Sequence, residues 1–505
     1  MYRHNQKQLE FEDFVLPFGG HLRSDNRWVR LAKFIPWDEF EGDYRKAASR
    51  SSYGPPAKSV RVALGALIIK ERLGTSDEET VEQIRENPYL QYFLGYKEYK
   101  DEPPFDASLF VYFRKRFHKK TLSRINASIA RKALDEENKK KSSKSSKRDD
   151  DDPGCGSGSN QGKLLVDATC TPADITFPTD LKLLNKAREK SEEIIDVLHR
   201  PFRGQQKKPR TYRKRARKDF LSASKSKKLA KGKKRKAIRK QLGYVGRNLK
   251  LIDKLSNQVS LLLLSRHQYK NLLVIHEVYR QQKWMYDQRE YRINDRIVSI
   301  SQPHVRPIKR GKAGAATEFG AKISASLVDG YTFLDRISWD AYNECGDLIG
   351  QIERYRNRYG YYPESVHADQ IYRTRDNRNY CKRHGIRLSG PPLGRPPKAR
   401  EKRREVKRQS RQDEVARIPI EGKFGQGKRR FSLARIMCKL AKTSETAITV
   451  AFIAMNLERW LQNCSFYFFR AICCRFLSLS ALKITHTARS MAILRCEFDR
   501  CICMC

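Results

Sequence analysis

The sequence predicts an α/β protein: a mixed sheet with helices against it, a large helical and basic insertion, and an all-α segment in front. Three observations predict this. Short strand-like runs at 163–169, 365–369 and 386–389 are separated by stretches with helical periodicity. Phe319 to Val328 and Tyr331 to Trp339 flank Asp329-Gly330, the dipeptide favoured in tight hairpins. Residues 1–135 show helical spacing only.

In that first segment, Val60 to Leu73 is apolar at helical spacing and Gly74 follows as a stop. Ser76-Asp77-Glu78-Glu79 reads as a capping box opening a second helix, which Pro88 ends. Asp106 or Ser108 caps a third, through Phe110, Tyr112 and Phe113 to the basic end Arg114-Lys115-Arg116. The order is compatible with a helix-turn-helix DNA reader and equally with an ordinary three-helix module. Residues 136–162, with Lys/Ser repeats, four aspartates and Gly/Ser, read as a disordered charged linker.

Lys163 to Thr169 begins the second part as a buried strand carrying Asp167 near its end. Residues 180–295 are mostly helical by pattern. Within them, Arg203 to Lys240 holds 19 Lys/Arg and one acid. After the hairpin come a helix over 347–359, the strand Ser365 to Asp369, a helix over 377–384 stopped by Gly385, and the strand Ile386 to Ser389. A second basic run, Arg395 to Arg411, has nine Lys/Arg and two acids. Two helices finish the domain, one through Phe431, Leu433, Ile436 and Leu440, the other from Ser444 to Leu461. The domain expectation is therefore 1–135 helical, 136–162 linker, 163–462 a mixed-sheet domain, and 463–505 an atypical Cys-rich tail.

Composition narrows the function. The 505 residues carry 104 Lys/Arg against 57 Asp/Glu, a formal net charge of +47, which calls for a polyanionic partner. Nucleic acid leads, and an anionic membrane surface comes second. No apolar run is long enough to span a bilayer and no secretory signal is visible, so a cytoplasmic, nucleoid-associated protein is expected. Seven of the twelve cysteines lie in the last 42 residues, and none has the spacing of a zinc site. The basic runs are backbone binders without base information. Trp339 reads as core packing or as a platform for an unpaired base.

Asp167 and Asp369 end two strands of one predicted sheet, where an open sheet can place a metal site. Glu421 begins the helical segment after the second basic run, and Arg417, Glu421 and Lys428 share one helix face. Three carboxylates can hold one or two Mg²⁺ ions for phosphodiester displacement. A strand-end aspartate is also an ordinary turn former. Gly422, Gly425 and Gly427 inside that helix suggest close backbone approach, to DNA for example, or a looped start.

Asp167-Ala168-Thr169, then His367-Ala368-Asp369, then Arg417-x-x-x-Glu421-x-x-x-x-x-x-Lys428 resemble the motifs of bacterial insertion-sequence transposases of the DDE superfamily. The stretch from Ile420 to Phe431 is particularly close, and the likeness spans roughly residues 15–462. The resemblance implies an RNase H-like core with Asp167, Asp369 and Glu421 as a catalytic, metal-binding triad for Mg²⁺ or Mn²⁺, two ions in all. It implies that Arg417 and Lys428 contact DNA-end phosphates. Its partners would be the terminal inverted repeats and target DNA, handled by a homodimer, with no membrane and no small-molecule cofactor. Two departures stand out. Glu414 occupies the place of the signature tyrosine, whose role Tyr372 is a candidate to fill. The sequence after Trp460-Leu461 reads as a frameshifted or degenerate terminus. A nuclease without strand transfer and an inactive DNA-binding relic are the rival readings.

Overall fold

The computed structural model describes residues 10–16, 19–47, 56–145, 160–226, 230–312, 315–391, 394 and 399–464. The Cys-rich tail beyond 464 lies outside them, as does the linker expectation over 146–159.

Seven helices come first: α1 Arg27–Phe34, α2 Asp38–Ala47, α3 Val60–Leu73, α4 Asp77–Glu86, α5 Pro88–Phe93, α6 Leu109–Arg116 and α7 Lys119–Ser145. The expected boundaries hold for local reasons. Gly74 closes α3 at φ 71°, and the Ser76 side chain caps α4 by accepting from Glu79 N–H. Pro88 ends α4 and also opens α5, because a proline at the first helical turn loses no intrahelical bond. The stretch 136–145, expected as linker, is helical as the end of α7. Its Glu and Lys residues are good helix formers, and the buried Leu122, Ile125, Ile129 and Ala133 anchor the turns before it.

One of the three cations at the basic end of α6 is taken up by the fold. Arg114 is buried and ion-paired with Asp77 at 2.5 Å, so this cation serves the fold.

A six-stranded sheet forms the centre: β1 Lys163–Pro172, β2 Arg306–Lys312, β3 Ala315–Val328, β4 Tyr331–Ser338, β5 Ser365–His367 and β6 Arg387–Leu388. β1 lies between β3, antiparallel, and β5, parallel; β6 continues parallel beyond β5. β2 and β4 follow one another along the remaining edge of β3. The hairpin is as expected: Asp329 and Gly330 both have positive φ, 49° and 88°, which a tight antiparallel turn requires. β2 was not expected, because Arg306-Pro307-Ile308-Lys309 lacks alternation and contains proline.

Between β1 and β2 run α8 Asp180–Leu198, α9 Arg213–Ser224, α10 Lys231–Ser256 and α11 Arg266–Asp287. They pack around their own apolar cluster, including Leu184, Ile195, Val245, Ile252 and Ile275. After β4 come α12 Leu348–Tyr359, α13 Arg375–Arg383 and α14 Arg400–Arg430, and residues 441–464 form α15. The helix expected through Phe431, Leu433, Ile436 and Leu440 is irregular. Ser432 at φ 55° breaks it, and Ile436 bridges to Ala173 instead. No helix among the described residues is long and apolar enough to cross a membrane.

The N-terminal helices pack directly onto the sheet layer. Phe34 stacks on Trp460 with ring centroids 3.9 Å apart. Buried Asn456 on α15 donates to Asn126 of α7 at 2.9 Å and to the Thr332 carbonyl of β4 at 2.8 Å. Trp339 is half-buried, donates to Glu445 at 3.0 Å and meets His304 edge-on, so packing is its role here.

Candidate active site

The parallel pair β1–β5 is short. Its register ends at Leu165 opposite His367, and Asp167 and Asp369 each lie two residues further on. The two aspartates therefore occupy equivalent positions where β1 and β5 part; Asp369 lies just past β5, but Asp167 is mid-strand, not at a strand end as expected, because β1 runs on to Pro172 against β3. A sheet that opens between parallel strands leaves a crevice at their carboxyl ends. No sequence pattern states that pairing; it joins strands 202 positions apart.

α14 brings the rest. Glu421 does not start a helix, as expected, but lies well inside the 31-residue α14. Ile420 and Phe424 bury one stripe of α14 against Leu165, Ile323 and Ala325 of the sheet. Gly427 allows close approach, but to the protein's own core: a Cβ there would stand 2.7 Å from Leu433 Cδ1. Gly422 has open space around it.

Asp413, which the sequence did not mark, staples the middle of α14 to the sheet. Its buried carboxylate accepts from Arg387 Nη1 at 2.9 Å and from Gly390 N–H at 2.9 Å. Burial pushes this carboxyl up, but the Gly390 N–H and the Arg387 guanidinium outweigh it and hold it below the ordinary value.

All five residues singled out from sequence, Asp167, Asp369, Arg417, Glu421 and Lys428, line one cavity of about 460 Å³. Arg417 stands between two of the acids. Its Nη2 is 2.9 Å from Glu421 Oε1 and its Nη1 is 4.0 Å from Asp167 Oδ2. Asp369 Oδ1 accepts from Gln370 N–H at 2.7 Å. Burial raises the Asp167 carboxyl from 3.8 to about 6, against the Ala168 N–H and Arg417, which lower it.

Glu344 and Lys322 line the same cavity, 3.1 Å apart, and were missed. Glu344 precedes α12 in an unremarkable turn, and Lys322 sits within an ordinary strand pattern. Tyr372, the candidate for the signature tyrosine, is fully buried, and burial pushes its hydroxyl far up. It cannot meet a DNA end as placed. Glu414 in the signature position is exposed.

A neighbouring cavity of about 750 Å³ shares Lys309 with the first. The exposed rings of Phe177, Trp284 and Tyr291 line it, with Arg292 and Arg296. Aromatic faces beside cations are the surface chemistry of a nucleic-acid track.

Residues 366–458, which hold Asp369, Arg417, Glu421 and Lys428, match the family described as "Transposase DDE domain". Residues 17–116 match "Transposase domain (DUF772)". The chain belongs to the DDE-type insertion-sequence transposases. This transposase is also 32% identical over 163 residues to "Uncharacterized protein ORF8 in nfe locus" of Rhizobium meliloti, covering 32% of this chain and 68% of that one. No solved structure matches it.

The family implies a divalent metal. Four acids (Asp167, Glu344, Asp369, Glu421) and four cations (Lys309, Lys322, Arg417, Lys428) line the transposase's cavity. Their formal charges cancel, so a DNA phosphate entering it needs added positive charge. Carboxylate oxygens are the donors Mg²⁺ and Mn²⁺ take, so the residues fit the group. Among the described residues, no group of three His, Cys, Asp or Glu side chains is gathered around one point. Glu421 is instead engaged by Arg417.

Proposed function

We propose that this transposase binds the terminal inverted repeats of its element, cleaves DNA there with a divalent metal, and joins the freed ends to target DNA. One observation carries the reading: Asp167 and Asp369, each two residues past the end of the parallel β1–β5 pairing, line one cavity with Arg417, Glu421 and Lys428. Three antiparallel strands leading to β1 and its parallel neighbours β5 and β6 support an RNase H-like core.

Asp167, Asp369 and Glu421 would hold the metal, one or two ions of Mg²⁺ or Mn²⁺. When bound, it would supply activation of the attacking oxygen and charge stabilisation on the leaving one. The protein's own groups do the positioning. Arg417 and Lys428 take nonbridging oxygens of the end phosphates, the guanidinium as a planar fork and the ammonium as a point charge. The half-buried wall around Asp167 keeps the local dielectric low, which strengthens each of these contacts. Hydrolysis at the element end leaves a 3′-hydroxyl. That hydroxyl then attacks a target phosphate in line, one P–O bond forming as another breaks.

The exposed cations of α9 and α10 and the segment before them supply sequence-independent affinity for the flanking duplex. Two ends must be held together, so a homodimer on DNA is expected, and the +47 charge keeps the protein with the nucleoid.

The test is supercoiled plasmid carrying the element's ends, incubated with purified protein and Mg²⁺, with EDTA, and with Asp369→Asn. Metal-dependent nicking at the ends that the variant loses, followed by appearance of joined products, supports the proposal. Cleavage without joined product reduces it to a nuclease. Binding without cleavage at any metal concentration points to a DNA-binding relic.

A further inference from the structure

A guanidinium cannot be deprotonated in a protein and carries five fixed N–H donors. Arg417 spends that fork on the carboxylates themselves: 2.9 Å to Glu421 and 4.0 Å to Asp167. It is placed one helical turn before Glu421 on α14, so the i,i+4 geometry makes the Glu421 contact local to the helix. The Asp413 anchor lies one turn earlier and holds this part of α14 against the sheet. Lys322 is already committed to Glu344 and to the Tyr342 carbonyl at 2.9 Å. Arg417 is therefore a cation that bridges the β1 acid Asp167 and the helix acid Glu421.

We propose that Arg417 is a latch on the metal site: without DNA it occupies Glu421 and screens Asp167, and a DNA-end phosphate draws it away and frees both carboxylates. The inference rests on the reading of Asp167, Asp369 and Glu421 as the metal ligands and adds how that site is regulated. A guanidinium and a divalent cation compete for the same oxygens and repel each other. A phosphate offers the guanidinium an equally planar, more accessible partner. The two binding events are then linked: DNA raises metal affinity, and by reciprocity metal raises DNA affinity by the same factor. A transposase built so does not assemble its cutting centre on a chain free of DNA, which protects the host chromosome from stray nicks.

The test measures Mn²⁺ binding by electron paramagnetic resonance, on the full chain, with and without a 20-base-pair duplex. Arg417→Gln is expected to bind Mn²⁺ about tenfold tighter than wild type in the absence of DNA, the scale of removing one unit charge beside a divalent ion. Adding duplex is expected to tighten Mn²⁺ binding in wild type but little further in Arg417→Gln. The tightening is expected to vanish when Asp369→Asn is added. Circular dichroism confirms folding of each variant. Arg417→Lys, which keeps the charge without the fork, serves as a second variant and is expected to fall between. If Asp369→Asn abolishes Mn²⁺ binding but neither Arg417 variant binds tighter than wild type, the latch is wrong and the metal-site reading stands. If Mn²⁺ binding ignores Asp369→Asn altogether, the metal-site reading itself fails and the latch with it.

Discussion

Asp167→Asn should make the protein more stable while removing its activity. Burial lifts the Asp167 carboxyl from 3.8 to about 6. That is roughly two units, and at about 1.4 kcal/mol per unit the folded state carries about 3 kcal/mol of strain when Asp167 is ionised. The sign follows from a folded value above the unfolded one. The unfolded carboxyl loses its proton first as pH rises, so stability falls between about pH 4 and pH 6 and stays low above that window. Asparagine cannot ionise and keeps an oxygen for the Ala168 N–H, which Asp167 accepts at 2.8 Å. The gain should be about 1–3 kcal/mol, because Asn also forfeits the attraction of Arg417. Urea unfolding followed by tryptophan fluorescence, at pH 7.5 and pH 4.5 without metal, measures it. The variant should be more stable at pH 7.5, with the difference shrinking at pH 4.5. A variant equal to or weaker than wild type at pH 7.5 refutes the reasoning, since Asp167 would then be a stabilising group. Active sites commonly store such a cost, because the groups chemistry needs are not the ones folding prefers.

Two further predictions concern how α14 is held. Asp413→Ala removes the acceptor of Arg387 and of the Gly390 N–H, and should cost about 2–4 kcal/mol. Hydrogen exchange should rise over residues 409–428, and DNA cleavage should fall with it; unchanged exchange there would remove Asp413 from its anchoring role. Because its folded carboxyl lies below the ordinary value, its contribution is present above about pH 4 and fades as pH falls below that. Gly427→Ala places a methyl 2.7 Å from Leu433 Cδ1 and 3.2 Å from Met455 Sδ, and should lower stability by about 1–3 kcal/mol. A melting temperature equal to wild type would show that the α14–α15 packing has slack.

Much of this protein was legible one residue at a time. Gly74, Ser76, Asp329 and Gly330 mark turns and caps through their own backbone chemistry, and the observed boundaries follow them. The spacing from Arg417 to Glu421 to Lys428 is a helical spacing, and a single helix face is enough to bring those three side chains to one cavity. The net charge of +47 is likewise a property of composition.

Other features depended on partners far away in the chain. The continuation of α14 from Arg400, through a basic run and past Pro419, is stabilised by Ile420 and Phe424 against the sheet and by Asp413 at its middle. Local propensity alone points to a break. Gly427 signals close approach, yet only the fold shows that Leu433 and Met455 are what approach it. Glu344 and Lys322 carry no motif, and the buried Tyr372 matches a role its position does not allow.

The sequence by itself determined most of the helices, the caps and turns at Gly74, Ser76 and Asp329-Gly330, and the kinds of side chain available for chemistry, because these follow from backbone preference and periodicity within a few residues. Only the tertiary structure decided that Leu165 pairs with His367, that Asp167 and Asp369 thereby end side by side, and that Arg417 stands between Asp167 and Glu421. The physical reason is that strand pairing and helix docking are settled by hydrogen bonds and burial between segments hundreds of residues apart, and no local pattern records which partner wins.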